Sequence, residues 1–400
     1  MKNERWMIGF AIVLSVAIHW VGYALWQKSH AVDVPKVSLK EALFSDLPGW
    51  KNANVLQSLR TFQVSCRVFL KQDPEQPVGS DSVDLRAKDW YPACHAALSS
   101  TEMTHQAAKI FFQTWFRPVE FNNGKPITGL FTGYYLPAMD GRLSKTKKYN
   151  TPIYGLPSDL VSARLTDFKS DLPKQTLVGR VAKGRLIPYY TRKMIDQGAI
   201  SKVAPVLAWV NSSFERLVLE IEGSGVVVLP NGKPLFLGYA GQNGAPYTAI
   251  GRVLIDQGVM TRDNASMQRI RAYLEKTPSE MQNVLNKNES FVFFRALNQA
   301  GALGSQGTLL TDGYSLAVDR SWVPMGVPLW LNTTRPDRTT NKTHPFKRLM
   351  IAQDTGGAIR GPVRGDIYWG AGEKATAIAG KMKDQGRYWL LLPSTYSMPH

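Results

Sequence analysis

The residues best able to do chemistry gather near the C-terminal end, between Asp354 and Gly370. Asp354-Thr355-Gly356-Gly357 follows the apolar run Leu349-Met350-Ile351-Ala352, and Gly365-Asp366-Ile367-Tyr368-Trp369-Gly370 comes shortly after. Glycines beside an aspartate let backbone and ligand approach closely. A carboxyl placed in this way can give or take a proton in a reaction. The same pairing is also a plain turn signal, and the residues alone do not choose between Asp354 and Asp366. Asp-Thr-Gly is the triplet of aspartic proteases too, but those need two aspartates sharing one proton. With one such triplet, a protease would have to be a dimer.

Other chemistries fall away. The six histidines are His19, His30, His95, His105, His344 and His400, and no pair has ligand spacing on one helix face. There is no phosphate loop and no Gly-x-Ser-x-Gly elbow. Two cysteines cannot build a zinc ribbon. No metal and no cofactor are expected, and catalysis is left to carboxylates.

The formal net charge is +17, from 48 Lys and Arg against 31 Asp and Glu. So basic a surface favours a polyanionic partner such as nucleic acid, anionic lipid or cell-wall polymer. The basic residues are spread along the chain, and no nucleic-acid motif accompanies them, so a nucleic-acid partner is not expected.

From Trp6 to Trp26 there is no Asp, Glu, Lys or Arg. A run of about 20 such residues is long enough for a helix to cross a bilayer. Lys2 and Arg5 precede it, which places its N-terminus in the cytoplasm and exports the rest. The competing reading is a cleaved signal peptide, for which Ser29-His30-Ala31 offers a small-x-small site. Residues 1–31 are thus an anchor or a signal segment, with the anchor favoured. No Cys lies near them to carry a lipid. Cys66 and Cys94 form an even pair in an exported chain, where a disulfide is favoured over two separate buried thiols.

The elements that must position these groups divide by periodicity. After a linker at Val32–Pro35, Phe44 to Trp50 opens a mainly helical part that runs to about Arg117. Val55, Leu56, Leu59 and Phe62 have helical spacing, as do Ala107, Ala108, Phe111, Phe112 and Trp115. From Gly129 the pattern changes to short β-rich runs. One is Gly129-Leu130-Phe131-Thr132-Gly133-Tyr134-Tyr135. Another is Leu217 to Glu222, where Leu219 and Ile221 alternate with Glu220 and Glu222. A helix is expected on Tyr247, Ile250, Val253 and Leu254, closed by Gly258. A second is expected on Met267, Ile270 and Leu274, and a third from Thr277-Pro278-Ser279-Glu280. Strand-like runs then return at Tyr314–Val318, Pro328–Leu331, Leu349–Ala352 and Tyr388–Leu392. The fold class is mainly β with flanking helices, in two β units bridged by helices.

Over most of the exported chain, the sequence resembles the membrane-bound lytic murein transglycosylase A family. The resemblance is carried by Thr132-Gly133-Tyr134-Tyr135, by Glu222-Gly223-Ser224-Gly225 and by Gly238-Tyr239-Ala240-Gly241-Gln242-Asn243-Gly244. Asn288 to Phe294, Ser315 to Arg320 and the two Asp motifs complete it. It implies a double-psi β-barrel joined by a smaller inserted β-rich domain, with glycan in the groove between them. The implied division is 36–143 and 286–395 for the barrel, with the three acids in the second part, and 144–285 for the insert. By position, Asp366 matches the family's catalytic acid, with Asp354 and Asp319 as supporting acids. Substrate contacts are expected from Thr132, Gly133, Tyr134, Tyr135, Glu222, Gly223, Ser224, Gly225, Tyr239, Gln242, Gly356, Gly357 and Tyr368. Many relatives carry Gln where this chain has Glu222. The implied partner is the peptidoglycan glycan strand in the periplasm of a Gram-negative bacterium. Cell-wall synthesis or division proteins are further candidate partners.

The chemistry suits these residues. A glycosidic bond breaks when the leaving oxygen receives a proton. A free Asp, with a pKa of about 3.9, is protonated in only about one molecule in a thousand at neutral pH, so nearby carboxylates, Asp319 and Asp354, and a dry groove are both expected to raise it. An ordinary glycosidase needs a second carboxylate. A lytic transglycosylase does not, because the sugar's own 6-hydroxyl attacks the anomeric carbon and one Asp serves as acid and then base. The rival readings are a silent peptidoglycan-binding or scaffold protein and a hydrolytic muramidase.

Overall fold

The computed structural model describes residues 37–99, 104–173, 175–262, 264–340 and 342–397. The apolar run near the N-terminus, the Val32–Pro35 linker, His19, His30 and His400 lie outside the described residues. Among the described residues no helix is long and apolar enough to cross a membrane.

The chain opens with strand β1 (Ser38–Glu41) and helices α1 (Leu56–Phe69), α2 (Tyr91–Ser99) and α3 (His105–Trp115). Strands β2 (Phe116–Asn122), β3 (Gly129–Leu136), β4 (Ala138–Arg142) and β5 (Thr151–Tyr154) follow. A small sheet comes next, from β6 (Val161–Arg164), β7 (Thr176–Ala182) and β8 (Arg185–Pro188). Then come α4 (Arg192–Asp196), β9 (Val206–Val210), α5 (Ser213–Glu222), β10 (Ser224–Val228) and β11 (Pro234–Gln242). Helices α6 (Ile250–Asp256), α7 (Met267–Lys276) and α8 (Pro278–Leu285) lead to β12 (Val292–Ala296). The last part holds β13 (Ser315–Val318), β14 (Pro328–Pro336), β15 (Thr343–Asp354), β16 (Gly365–Ala371), α9 (Glu373–Ala379) and β17 (Lys383–Pro393).

Two sheets organise the molecule. The larger has the order β1-β2-β17-β14-β15-β13-β16-β3, and β17 also pairs with β3. Its six strands from β17 round to β3 therefore form a closed circuit. Leu349 to Ala352 on β15 are buried on both faces, which explains why this strand is continuously apolar. Helices α1 to α3 cover one side, where Phe62 meets the rings of Trp90, Phe111, Phe112 and Phe116. Ser58 on α1 donates to the Leu349 carbonyl at 2.8 Å. Cys66 on α1 and Cys94 on α2 are disulfide-bonded, 28 residues apart. Closing a loop of that size is worth on the order of 3 kcal/mol. The second sheet has the order β12-β11-β10-β4-β9-β5. The chain enters it directly after β3 and leaves it after β12.

Two expectations need correction. Leu217 to Glu222 is not a strand but the end of α5. Ser212 caps that helix by accepting the Phe214 N–H at 3.1 Å. Phe214, Leu217 and Val218 then share one buried face at i, i+3 and i+4. Gly223, at φ +73°, ends it in the left-handed conformation that glycine takes without strain. Glu220 breaks the apolar pattern because it is buried in an ion pair, so alternation there does not report a strand. Tyr247 is not on the next helix. That helix begins at Ile250, and Tyr247 lies exposed in the segment before it.

Candidate active site

Strand β16 lies between β13 and β3. Asp366 faces Ala317 across the antiparallel pair and Thr132 across the parallel one. Side chains alternate along a strand, so Thr132 and Tyr134 share a face of β3, and Asp366 and Tyr368 share a face of β16. The Tyr134 and Tyr368 rings lie 5.3 Å apart. Tyr134, Leu136, Ala302, Ala317, Ile359 and Tyr368 form a buried apolar cluster on that face.

Asp366 is half-buried beside this cluster. The Thr132 hydroxyl donates to its Oδ1 at 2.7 Å. Thr132 in turn accepts from Arg364 Nη2 at 3.0 Å. Burial is the largest influence on Asp366 and pushes its carboxyl up to about 6. The Asp354 charge adds to the rise, while the Thr132 bond and the Arg364 guanidinium oppose it.

Asp354 ends β15 and faces the same cluster. Its Oδ2 accepts the Tyr134 hydroxyl at 2.8 Å, and its Oδ1 accepts the Ser305 and Thr355 N–H groups, each at 2.9 Å. Burial raises this carboxyl too, against the pull of those bonds. Asp319 does different work. It accepts from Ser321 N and Oγ at 3.1 and 2.8 Å and from Gly361 N at 2.7 Å, tying its own turn to the loop before β16. It is not among the groups that shift Asp366.

The other expected residues separate into two groups. Tyr135 donates its N–H to Glu222 Oε2 at 3.1 Å, which brings the end of α5 against β3. Glu222 feels the Asp366 charge, so it belongs to the same electrostatic neighbourhood. Gly133 faces the opposite side of β3, where an added Cβ would stand 2.6 Å from the Trp369 indole nitrogen. Gly225 is required by close packing on Leu219 and the Pro137 carbonyl, and Ser224 is buried beside it. Gly356 and Gly357 lie in the open loop after Asp354. Tyr239 and Gln242 are exposed on β11, and among the described residues neither bonds to the Asp366 cluster. Arg364 and Ser305 were not foreseen. Arg364 had a signal, since it stands two residues before Asp366 and an extended chain puts both on one face.

This geometry gives an acid poised near neutrality beside a hydroxyl, in an apolar setting. The chain is similar to known proteins over most of its length. The family model described as MltA specific insert domain matches residues 130–295, and the one described as 3D domain matches 314–392. The crystal structure of MltA from Neisseria gonorrhoeae, monoclinic form, is similar at 32% identity. It covers 90% of this chain and 94% of that one, with a TM-score of 0.74. The crystal structure of Escherichia coli MltA with bound chitohexaose is 26% identical, covers 89% and 93% of the two chains, and has a TM-score of 0.61. Membrane-bound lytic murein transglycosylase A of Escherichia coli K12 is 35% identical over 264 residues, 65% of each chain. The match thus spans just under two thirds of the length of that curated relative. The chain belongs to the membrane-bound lytic murein transglycosylase A (MltA) family.

Proposed function

We propose that this protein is a lytic transglycosylase. It cleaves the β-1,4 bond between N-acetylmuramic acid and N-acetylglucosamine in peptidoglycan and leaves a 1,6-anhydro end. Asp366 is its acid and then its base. The observation that carries this reading is the Asp366 carboxyl, half-buried beside an apolar cluster, bonded to the Thr132 hydroxyl and pushed by desolvation up to about 6. At pH 7 about one molecule in ten then holds the proton, roughly a hundredfold more than for a free Asp. That proton goes to the glycosidic oxygen as the bond to the anomeric carbon breaks. The 6-hydroxyl of the same muramic sugar attacks that carbon, and the Asp366 carboxylate takes the hydroxyl proton. Asp354 is a poor base for water, because three donors already occupy its oxygens.

In this reading Thr132, Tyr134, Tyr135, Tyr368 and the loops at Glu222–Gly225 and Gly356–Gly357 line the glycan groove, with Tyr239 and Gln242 further along it. The closed circuit of six strands is the double-psi β-barrel, built from 36–143 and 286–395. The insert is 144–285, with β4 and β12 joining its sheet. Residues 1–31 hold the protein at a membrane facing the periplasm, where cell-wall synthesis or division proteins are candidate partners. The chitohexaose bound to the E. coli relative supports an amino-sugar polymer as the ligand.

The reading is tested by the pH dependence of muropeptide release. The reactive form is protonated Asp366, so kcat/KM falls as pH rises through about 6. The Thr132 bond favours the carboxylate, so its removal raises the carboxyl further. In Thr132→Val the fall moves to higher pH. A profile that stays in place, or moves down, contradicts the assignment of Asp366.

A further inference from the structure

Glu222 is an acid in a setting that disfavours its charge. It is the last residue of α5, where the helix dipole presents partial negative charge. Gly223 turns the chain away immediately afterwards. One carboxyl oxygen accepts the Tyr135 N–H at 3.1 Å. Among the described residues no Lys, Arg or His forms an ion pair with it, whereas Glu220, one half-turn earlier, pairs with both Arg192 and Arg216. The groups that face it give no relief. Asp366 on β16 adds negative charge, and Tyr135 on β3 and Tyr247 before α6 are neutral phenols. Arg271 on α7 acts on Tyr135 but is taken up by Glu215 on α5. Burial is the largest influence and pushes the Glu222 carboxyl up to about 8, against the Tyr135 N–H bond and with a smaller push from the Asp366 charge.

We propose that Glu222 works as a neutral carboxylic acid that accepts the Tyr135 N–H on one oxygen and donates its O–H to an oxygen of the bound glycan. This rests on the glycan-groove reading above. A protonated carboxyl offers one donor and one acceptor, as an amide does. It can meet the acetamido carbonyl or a hydroxyl oxygen of an amino sugar. Ionised, it is acceptor-only and sets a second negative charge near Asp366, so the glycan is released. A Glu222 that merely held Tyr135 would behave oppositely, since a carboxylate accepts an N–H more strongly than a neutral acid does.

Chitohexaose is titrated into the full chain from pH 6 to pH 10, with binding followed by tryptophan fluorescence. The unaltered protein binds at pH 6 and loses roughly tenfold in affinity by pH 10, with a midpoint of about 8. Glu222→Gln keeps its pH 6 affinity at pH 10, because its donor cannot ionise. Glu222→Leu binds roughly tenfold more weakly at both ends. An alkaline loss that persists in Glu222→Gln overturns the proposal, as does an unaltered protein that binds equally at pH 10. If none of the three binds at pH 6, the groove reading itself fails and the proposal falls with it.

Discussion

Asp366→Asn lowers muropeptide release by at least about a thousandfold, the range expected for loss of a general acid. The side chain keeps its size, and its amide oxygen can still accept the Thr132 hydroxyl that bonds Asp366 at 2.7 Å. The strand pairing of Asp366 with Ala317 and Thr132 runs through the backbone and is untouched. What disappears is the proton, which an amide cannot deliver. Chitohexaose binding near pH 6 therefore survives while turnover does not. A variant that keeps a tenth of the original rate moves the acid elsewhere, with Asp354 the next candidate.

The largest expected effect on stability lies away from the acid. Arg192 is fully buried, and its Nη1 donates to Glu220 Oε1 at 3.2 Å while Nη2 reaches the other carboxylate oxygen. It also donates to the carbonyls of Asn288 at 2.9 Å and Ser290 at 2.5 Å. Arg216 pairs with Asp196 at 2.6 Å, and both guanidinium groups lie over the Phe291 ring. Glu220 keeps Arg192 charged in spite of its burial. Arg192→Met fills similar volume but leaves Glu220 with Arg216 alone and two carbonyls without their donors. Breaking one side of such a pair costs about 3 to 5 kcal/mol. Urea unfolding measures it, and a loss under 1 kcal/mol would mean that Arg216 alone satisfies the cluster. The network also anchors α5, whose last residue is Glu222, so the same variant weakens glycan binding.

Much of this site could be read in the sequence because its parts are short, local signals. Glycine beside Asp354 and Asp366 marked the two acids, and the β-rich run Gly129–Tyr135 marked the strand that carries Thr132 and Tyr134. What could not be read was contact over long separations. Thr132 and Asp366 are 234 positions apart, and nothing local joins them. The helix at Ser213–Glu222 was hidden for the same reason. Glu220 looks like the polar face of a strand until Arg192, 28 positions earlier, is seen to neutralise it in the core. Gly133 and Gly225 carry a packing need that the sequence does not show, since the space beside each is filled by Trp369 and Leu219. The burial that shifts Asp366 and Glu222 is likewise a property of packed neighbours, not of residue type.

The central claim is that one carboxyl does both proton transfers and water stays out of the broken bond. Asp354 is held by three donors, and Glu222, pushed up to about 8, is mostly neutral at pH 7. Neither is then suited to activating water. Digestion of purified peptidoglycan in oxygen-18 water, with products weighed by mass spectrometry, reads this directly. The account predicts new muramic ends that carry no label, weigh one water less than hydrolysed ends and resist borohydride. Label in most of the new ends would make the enzyme a hydrolase and contradict the mechanism, even with Asp366 essential.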